Sequence, residues 1–318
     1  MDEPLFIENN ENQLRQYVDA SSVFAAHARA RQAAGEVRGS MFWREMRGVN
    51  TLIRTSAAGA QRSLGAESEQ TREVYARFVA REAQVSQSER GLRERLEEMR
   101  KLNKVYGVGR TPQVVVAVLN ALERAGIADQ FLTVGTHALY AFEAACGVRV
   151  GTEALATRDV DLLYDTRQHV AFVTSMKRLD SSLINVLRKA DRTFRVRPDQ
   201  LQTAVNDDGF EVDLIRRMAV ANDPHPLPMS GKEGDLWAVQ VSSGNRLVSG
   251  RRLDQVVVSP RGDMELMRTV HPQDFIQVKT VMSASATRDP LKRPKDALQA
   301  RVVQKLWNDY LVHRLGSL

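Results

Sequence analysis

The chain has 318 residues, 43% hydrophobic and 26% charged, an ordinary globular composition long enough for two or three folding units. No apolar run approaches the roughly twenty residues of a membrane span, and the acidic, polar opening MDEPLFIENNENQ does not read as a signal peptide. One cysteine, Cys146, excludes an internal disulfide and fits a reducing cytoplasm, and the six histidines are scattered without metal-ligand spacing.

Residues 1–105 read as almost entirely helical. An Ala-rich helix over Gln13 to Arg31 is expected to end at Ala34-Gly35. Ser40 reads as the cap of a second helix carrying Met41, Phe42, Met46, Val49, Leu52 and Ile53 at helical spacing. Gly59 and Gly65 interrupt the pattern, and Ser68 opens a long helix to about Lys104. Phe78, Val85, Leu92 and Met99 recur at seven-residue intervals along it. Such a seam fits either a homodimer through the N-terminal helices or an arm packed on its own chain. Few apolar residues occupy the complementary seam positions, which favours the arm. Nothing here has catalytic spacing, so this region is expected as a platform or interaction arm. A linker at Tyr106–Pro112 then sets off a core at 110–228 and a C-terminal strand-plus-helix domain at 229–318.

The core pattern begins with a helix over Val114 to Ala125 and a short apolar strand, Phe131 to Val134. That strand breaks at Gly135-Thr136, and a helix runs from His137 to Ala145. Asp159-Val160-Asp161-Leu162-Leu163 alternates acid and apolar residues, so both carboxylates leave one face of a strand, about 6.5–7 Å apart at Cα. Helices are expected over Gln168–Arg178 and Ser181–Ala190. Strands are expected at Thr193–Val196 and Phe210–Ile215, around the turn Asn206-Asp207-Asp208-Gly209. The latter strand puts Glu211 and Asp213 on one face. Asn222 to Pro228 reads as a stiff loop and domain edge. Beyond it come strands at Leu236–Val241, Gln255–Val258 and Met264–Val270, then helices at Asp274–Ser283 and Ala297–Val312. The fold class is α+β, a small mixed sheet with a large N-terminal helical region and a mainly helical C-terminal region.

Adjacent carboxylates on one face repel unless a cation lies between them, and three acidic positions could hold two Mg²⁺ ions for in-line phosphoryl displacement. A Gly-Thr turn ahead of a helix offers N–H groups and a hydroxyl to phosphates. A lone D-x-D strand would be an ordinary solvated face. The ordered set, Gly135-Thr136, Asp159-Val160-Asp161 and Asp213, resembles the DNA polymerase β-like nucleotidyltransferase superfamily. Thr136 stands where that pattern has Ser or Gly, and the gap from turn to D-x-D is longer than usual. Phe275 to Asp296 further resembles the helix-plus-Lys-Asp ending of bacterial AbiEii-type and MenT-type nucleotidyltransferases.

The resemblance implies metal and catalytic roles for Asp159, Asp161 and Asp213, with two Mg²⁺ ions and an NTP as substrate. Gly135, Thr136 and Lys279 would hold nucleotide phosphates. Lys189 is a further nucleotide-binding candidate, equally well read as a surface lysine. Asp296 would make an interhelical polar contact. The toxin-type branch implies the tRNA 3′ end as the leading acceptor. Protein or small-molecule nucleotidylation and second-messenger synthesis stay open, and so does a catalytically idle nucleotide or RNA sensor on the same fold.

The net charge is +6, from 45 basic and 39 acidic residues, and it is uneven. Arg188, Lys189, Arg192, Arg195 and Arg197 form one cluster, and the residues from Arg288 to Arg314 form another. Flanking an acidic site, they suit a polyanionic partner such as a triphosphate or RNA, or else are a solvated face.

Overall fold

The computed structural model describes residues 5–57, 59–220 and 223–315. Residues 1–4 of the opening stretch and Asn222 of the expected stiff loop lie outside the described residues. Two compact units form: Arg15–Val105, and Met1–Leu14 together with Tyr106–Leu318.

After β1 (Phe6–Glu8) come helix α1 (Glu11–Glu36), strands β2 (Ser40–Met46), β3 (Val49–Thr55) and β4 (Gln61–Ala66), and helix α2 (Glu69–Tyr106). Helix α1 passes through Ala34-Gly35 instead of ending there. Gly35 sits in open space with ordinary backbone, so the helix tolerates it at a cost of about 1 kcal/mol. Helix α2 opens on a reciprocal cap, with Ser68 Oγ accepting from Thr71 N–H (3.2 Å) and Thr71 Oγ1 from Ser68 N–H (2.8 Å). The two helices run antiparallel, linked by Glu36–Arg81 (3.2 Å), His27–Glu89 (3.5 Å) and Gln16–Asn103 (3.0 Å). Met99 of the seven-residue seam is buried there beside Gln16, while Phe78, Val85 and Leu92 are half-buried.

The helix expected over Met41–Ile53 is instead a hairpin. Arg47 (φ 54°) and Gly48 (φ 76°) are both left-handed, the two-residue turn that matches strand twist, and Met46 pairs with Val49 across it. Val49, Thr51, Ile53 and Thr55 alternate β-branched side chains along β3, a preference that outweighs the accidental helical spacing. β4 completes a sheet ordered β2-β3-β4. Trp43 and its cross-strand partner Leu52 face α2, where Trp43 meets Tyr75 (5.9 Å between rings) and Arg54 lies 4.4 Å over Phe78.

The other unit continues with α3 (Gln113–Arg124), β5 (Phe131–Val134), α4 (Ala138–Cys146), β6 (Val148–Val150), α5 (Thr152–Leu155) and β7 (Asp159–Tyr164). Next are α6 (His169–Leu179), α7 (Leu183–Leu187), β8 (Arg195–Arg197), β9 (Gln200–Val205) and β10 (Glu211–Arg216). The chain closes with β11 (Leu227–Pro228), β12 (Trp237–Gln240), α8 (Gly244–Ser249), β13 (Arg252–Val258) and β14 (Met264–Val270), followed by α9 (Pro272–Ala284), α10 (Arg293–Leu306) and α11 (Val312–Leu315).

One mixed sheet runs β11-β12-β10-β7-β5-β14-β13, with β9 pairing β10 and β8 pairing β9. β7 and β10 are parallel; β5 lies antiparallel to β7. Strand β9 was not expected from the sequence; it forms a hairpin with β10 around the turn at Asn206–Gly209. The strands of the segment expected as a separate domain at 229–318 belong to this same sheet, and the proline-rich 223–228 stretch is a connection within it. Helices α3 and α4 bury Val115, Val116, Leu122, Leu139 and Phe142 against it. No helix among the described residues is long and apolar enough to cross a membrane.

Candidate active site

Strands β7 and β10 bring the acids together. Their parallel register sets Asp159 beside Glu211 and Asp161 beside Asp213, and because alternation repeats every two residues all four carboxylates leave one face. Val160, Leu162, Val212 and Leu214 are buried on the other. Carboxylate oxygens of Asp159, Asp161 and Asp213 all lie within 4.8 Å of one another. The fourth acid is neutralised separately: Glu211 accepts from Arg197 (2.8 Å), which also pairs with Asp199 (2.8 Å).

Each remaining carboxylate is positioned by a neighbour. Thr203 on β9 donates to Asp213 Oδ1 at 2.5 Å, and Thr157 donates to Asp159 Oδ1. Val134, the last residue of β5, pairs with Asp161, so the break at Gly135 falls directly against that carboxylate. Gly135 has φ 66°, and a Cβ there would overlap Asp161 Oδ2. Burial, and then the charges of Asp159 and Asp213, push Asp161 up to about 7. Asp213 is raised by burial as well, against the lowering effect of its Thr203 hydrogen bond.

These residues fit a divalent cation. Oxygens held about 2.0–2.6 Å from one ion are at most about 5 Å apart, and positive charge here would offset the burial and the repulsion that raise Asp161.

The turn after β5 has partners the sequence did not reveal. Thr136 Oγ1 accepts from Gln299 Nε2 (3.0 Å), which also donates to Ala154 O (2.7 Å). The Thr136 hydroxyl proton is thereby left to donate elsewhere. His137 is buried, with Nδ1 unpartnered, and burial holds its pKa down to about 4, so it is neutral beside Asp159.

Helices α9 and α10 supply the positive side. Lys279 is buried and pairs with Asp296 (2.7 Å), which also accepts from Arg288 Nε (2.8 Å). This joins α9 to α10 as the interhelical contact expected of Asp296. The charges of Lys279 and Lys292 both act to lower Asp161. Lys295 donates to Ala156 O (2.6 Å); burial, then Lys279, lowers its pKa. Lys189 is exposed just beyond α7 and makes no side-chain contact with these groups among the described residues.

Sequence reasoning missed Gln299, Thr157 and Thr203; Lys292 and Lys295 were read only as part of the basic cluster from Arg288 to Arg314. A signal existed for Gln299: with Asp296 it puts two polar residues at the head of the buried α10 stripe that continues through Val303 and Leu306. The basic clusters are largely committed elsewhere. Arg195 pairs with Asp207 (2.6 Å), Arg188 donates to Phe194 O (3.0 Å), Lys305 pairs with Asp309 (2.8 Å) and Arg314 donates to Ala145 O (2.7 Å).

A mixed sheet that presents three close carboxylates beside a glycine turn and a lysine-bearing helix pair defines a protein of the phosphoryl-transfer class. A family model described as nucleotidyltransferase matches residues 113–316, and the chain belongs to that family. No curated protein and no solved structure matches it.

Proposed function

We propose that this chain is a metal-dependent nucleotidyltransferase that moves a nucleoside monophosphate from an NTP to an acceptor hydroxyl. Mg²⁺ is the ion of choice, two ions fill the site, and an RNA 3′ end such as that of tRNA is the acceptor. The carrying observation is the in-register pairing of Asp161 with Asp213, which assembles the acid cluster beside Gly135.

Asp159 and Asp161 would hold the metal, and bound Mg²⁺ would supply positive charge for phosphate oxygens and a lowered pKa for the acceptor hydroxyl. The acceptor oxygen attacks the α-phosphorus, the α–β bridging bond breaks, and pyrophosphate leaves. Asp213, aligned by Thr203, is placed to take the hydroxyl proton. Thr136 has a free hydroxyl proton for a phosphate oxygen, the Gly135 turn lets backbone approach closely, and Lys279 adds charge from α9. Lys189, exposed and apart from these contacts, is the weakest of the nucleotide-binding candidates.

The test is mass spectrometry after incubating the chain with Mg²⁺, each NTP in turn and total tRNA. Nucleotide added to tRNA, lost with Asp161→Asn, is the expected outcome. Addition to the chain itself or to a small molecule reassigns the acceptor. NTP binding without transfer to anything makes the fold a sensor.

A further inference from the structure

The strand hairpin and third strand at residues 37–66 carry five arginines, no lysine and one acid, Glu45. Elsewhere in the same unit four arginines have carboxylate partners: Arg72 pairs with Glu67, Arg77 with Glu73, Arg81 with Glu36 and Arg100 with Glu97. In the three-stranded sheet only Arg54 is committed, donating to Arg38 O and Thr55 O (both 2.9 Å) and covering Phe78. Arg38, Arg44, Arg47 and Arg62 are exposed and have no ion-pair partner among the described residues.

The two faces of this sheet differ. Trp43, Leu52 and Arg54 face α2, and alternation puts Glu45, and Arg62 across from Arg54, on that side too. The opposite face presents Phe42, Arg44, Met46, Val49 and Thr51, with Ile53 beside Phe42 buried, and holds no acid. Arg44 lies 5.2 Å over the half-buried Phe42 ring, and Met46 and Val49 remain 49% and 48% exposed. Unpaired guanidinium groups around an aromatic and apolar strip match a strand of alternating phosphates and planar bases.

We propose that this sheet is a docking surface for single-stranded RNA, with arginine forks on phosphates and the Phe42–Arg44 pair stacking a base. The surface lies outside residues 113–316 and deepens the RNA reading of the acceptor, on which it rests for the choice of RNA.

The test is fluorescence anisotropy of the full chain with a labelled single-stranded RNA of about twenty nucleotides, titrated at several salt concentrations. The wild type is expected to show a log–log slope of about −0.7 per neutralised phosphate. A combined Arg38→Gln, Arg44→Gln and Arg47→Asn variant is expected to bind at least about tenfold more weakly at low salt. Its slope should be shallower by about two. Phe42→Leu, which keeps the position apolar, is expected to weaken binding about fivefold or more with its slope unchanged. If circular dichroism shows the combined variant unfolded, Arg44→Gln and Arg47→Asn separately should each shallow the slope by about 0.7.

Arginine variants that bind RNA as the wild type does overturn the proposal. So does a glutamate-rich peptide held by these arginines more tightly than RNA, which would mark an acidic protein as the partner. RNA binding in a wild-type chain that transfers no nucleotide would sink the transfer reading and leave this surface standing; transfer to RNA with unchanged binding in the arginine variants would do the reverse.

Discussion

Gly135 sits against the Asp161 carboxylate with no room for a side chain between them. Two constraints coincide there, the left-handed backbone of φ 66° and the contact itself. Gly135→Ala is expected to cost roughly 1–3 kcal/mol of stability and to displace Asp161 from Asp159 and Asp213. Gly126 separates the two effects, because it has a similar φ of 68° but a Cβ there would meet nothing nearer than an Arg178 nitrogen at 3.9 Å. Gly126→Ala should lose comparable stability in thermal melts and keep wild-type metal-dependent transfer. Full transfer activity in Gly135→Ala would show that the turn is only a bend in the chain.

The elevated pKa of Asp161 makes stability depend on pH in a definite direction. Its folded value of about 7 lies above the ordinary carboxylate value, so the metal-free folded state binds a proton that the unfolded chain releases. Its stabilising contribution is therefore complete below about pH 4 and lost as pH rises through about 7. Glu143 on α4, also pushed up to about 7 by burial, contributes the same sign. Melting temperatures in a chelator should fall from about pH 5 to about pH 8. Mg²⁺ should reverse the fall only at the upper end, where the carboxylates are ionised. In Asp161→Asn the decline should shrink to what Glu143 and Asp213 contribute, less the opposite effect of His137, whose lowered pKa makes stability rise with pH up to about 6.5, and the Mg²⁺ response should vanish. A Mg²⁺ effect unchanged by that substitution would place the ion elsewhere.

The acid cluster was legible because it is built from local alternation. Asp159 and Asp161 share a face by strand geometry alone, as do Glu211 and Asp213. Which of the four would stay available was not legible, because Arg197, which neutralises Glu211, joins it through strand pairings among β8, β9 and β10. Gln299 and Thr136 are 163 residues apart in sequence, so no local pattern links them. The N-terminal sheet was misread for a different reason. Met41, Phe42, Met46, Val49, Leu52 and Ile53 satisfy helical spacing, and the deciding evidence was the Arg47-Gly48 turn, where one glycine controls the reversal.

The Lys279–Asp296 pair holds two helices together within a cluster of positive charge. Removing the acid leaves Lys279 and Arg288 facing each other with Lys279 buried, so Asp296→Ala is expected to cost about 3 kcal/mol or more. Lys279→Met keeps Arg288 as a partner for Asp296, and its cost should be smaller. Its main effect is expected on binding of a non-hydrolysable NTP with Mg²⁺, weakened about tenfold by loss of a charge-assisted phosphate contact. Calorimetric titration reads the affinity and chemical denaturation the stability. Weakened RNA binding with unchanged NTP affinity in Lys279→Met would move this lysine to the acceptor side.

Arg192, Arg195 and Arg197 were expected as part of an RNA-tracking cluster, yet two of the three already have carboxylate partners. Arg195 is bound to Asp207, and Arg197 to Asp199 and Glu211. Neutralising phosphates would require breaking those pairs, so changing all three to Ala should shallow the RNA salt slope by at most about 0.7, the share of exposed Arg192 alone. The same variant should nonetheless lose transfer activity, because Glu211 would stand unpaired beside Asp159 and Asp213 and add a fourth negative charge to the metal face. Arg197→Ala alone should reproduce that loss, and a further Glu211→Gln change should restore most of it. Affinity and transfer measured on the four variants would separate the roles. A steep slope lost in the triple variant would return these arginines to the RNA surface, and failure of Glu211→Gln to rescue Arg197→Ala would end the neutralising role assigned to Arg197.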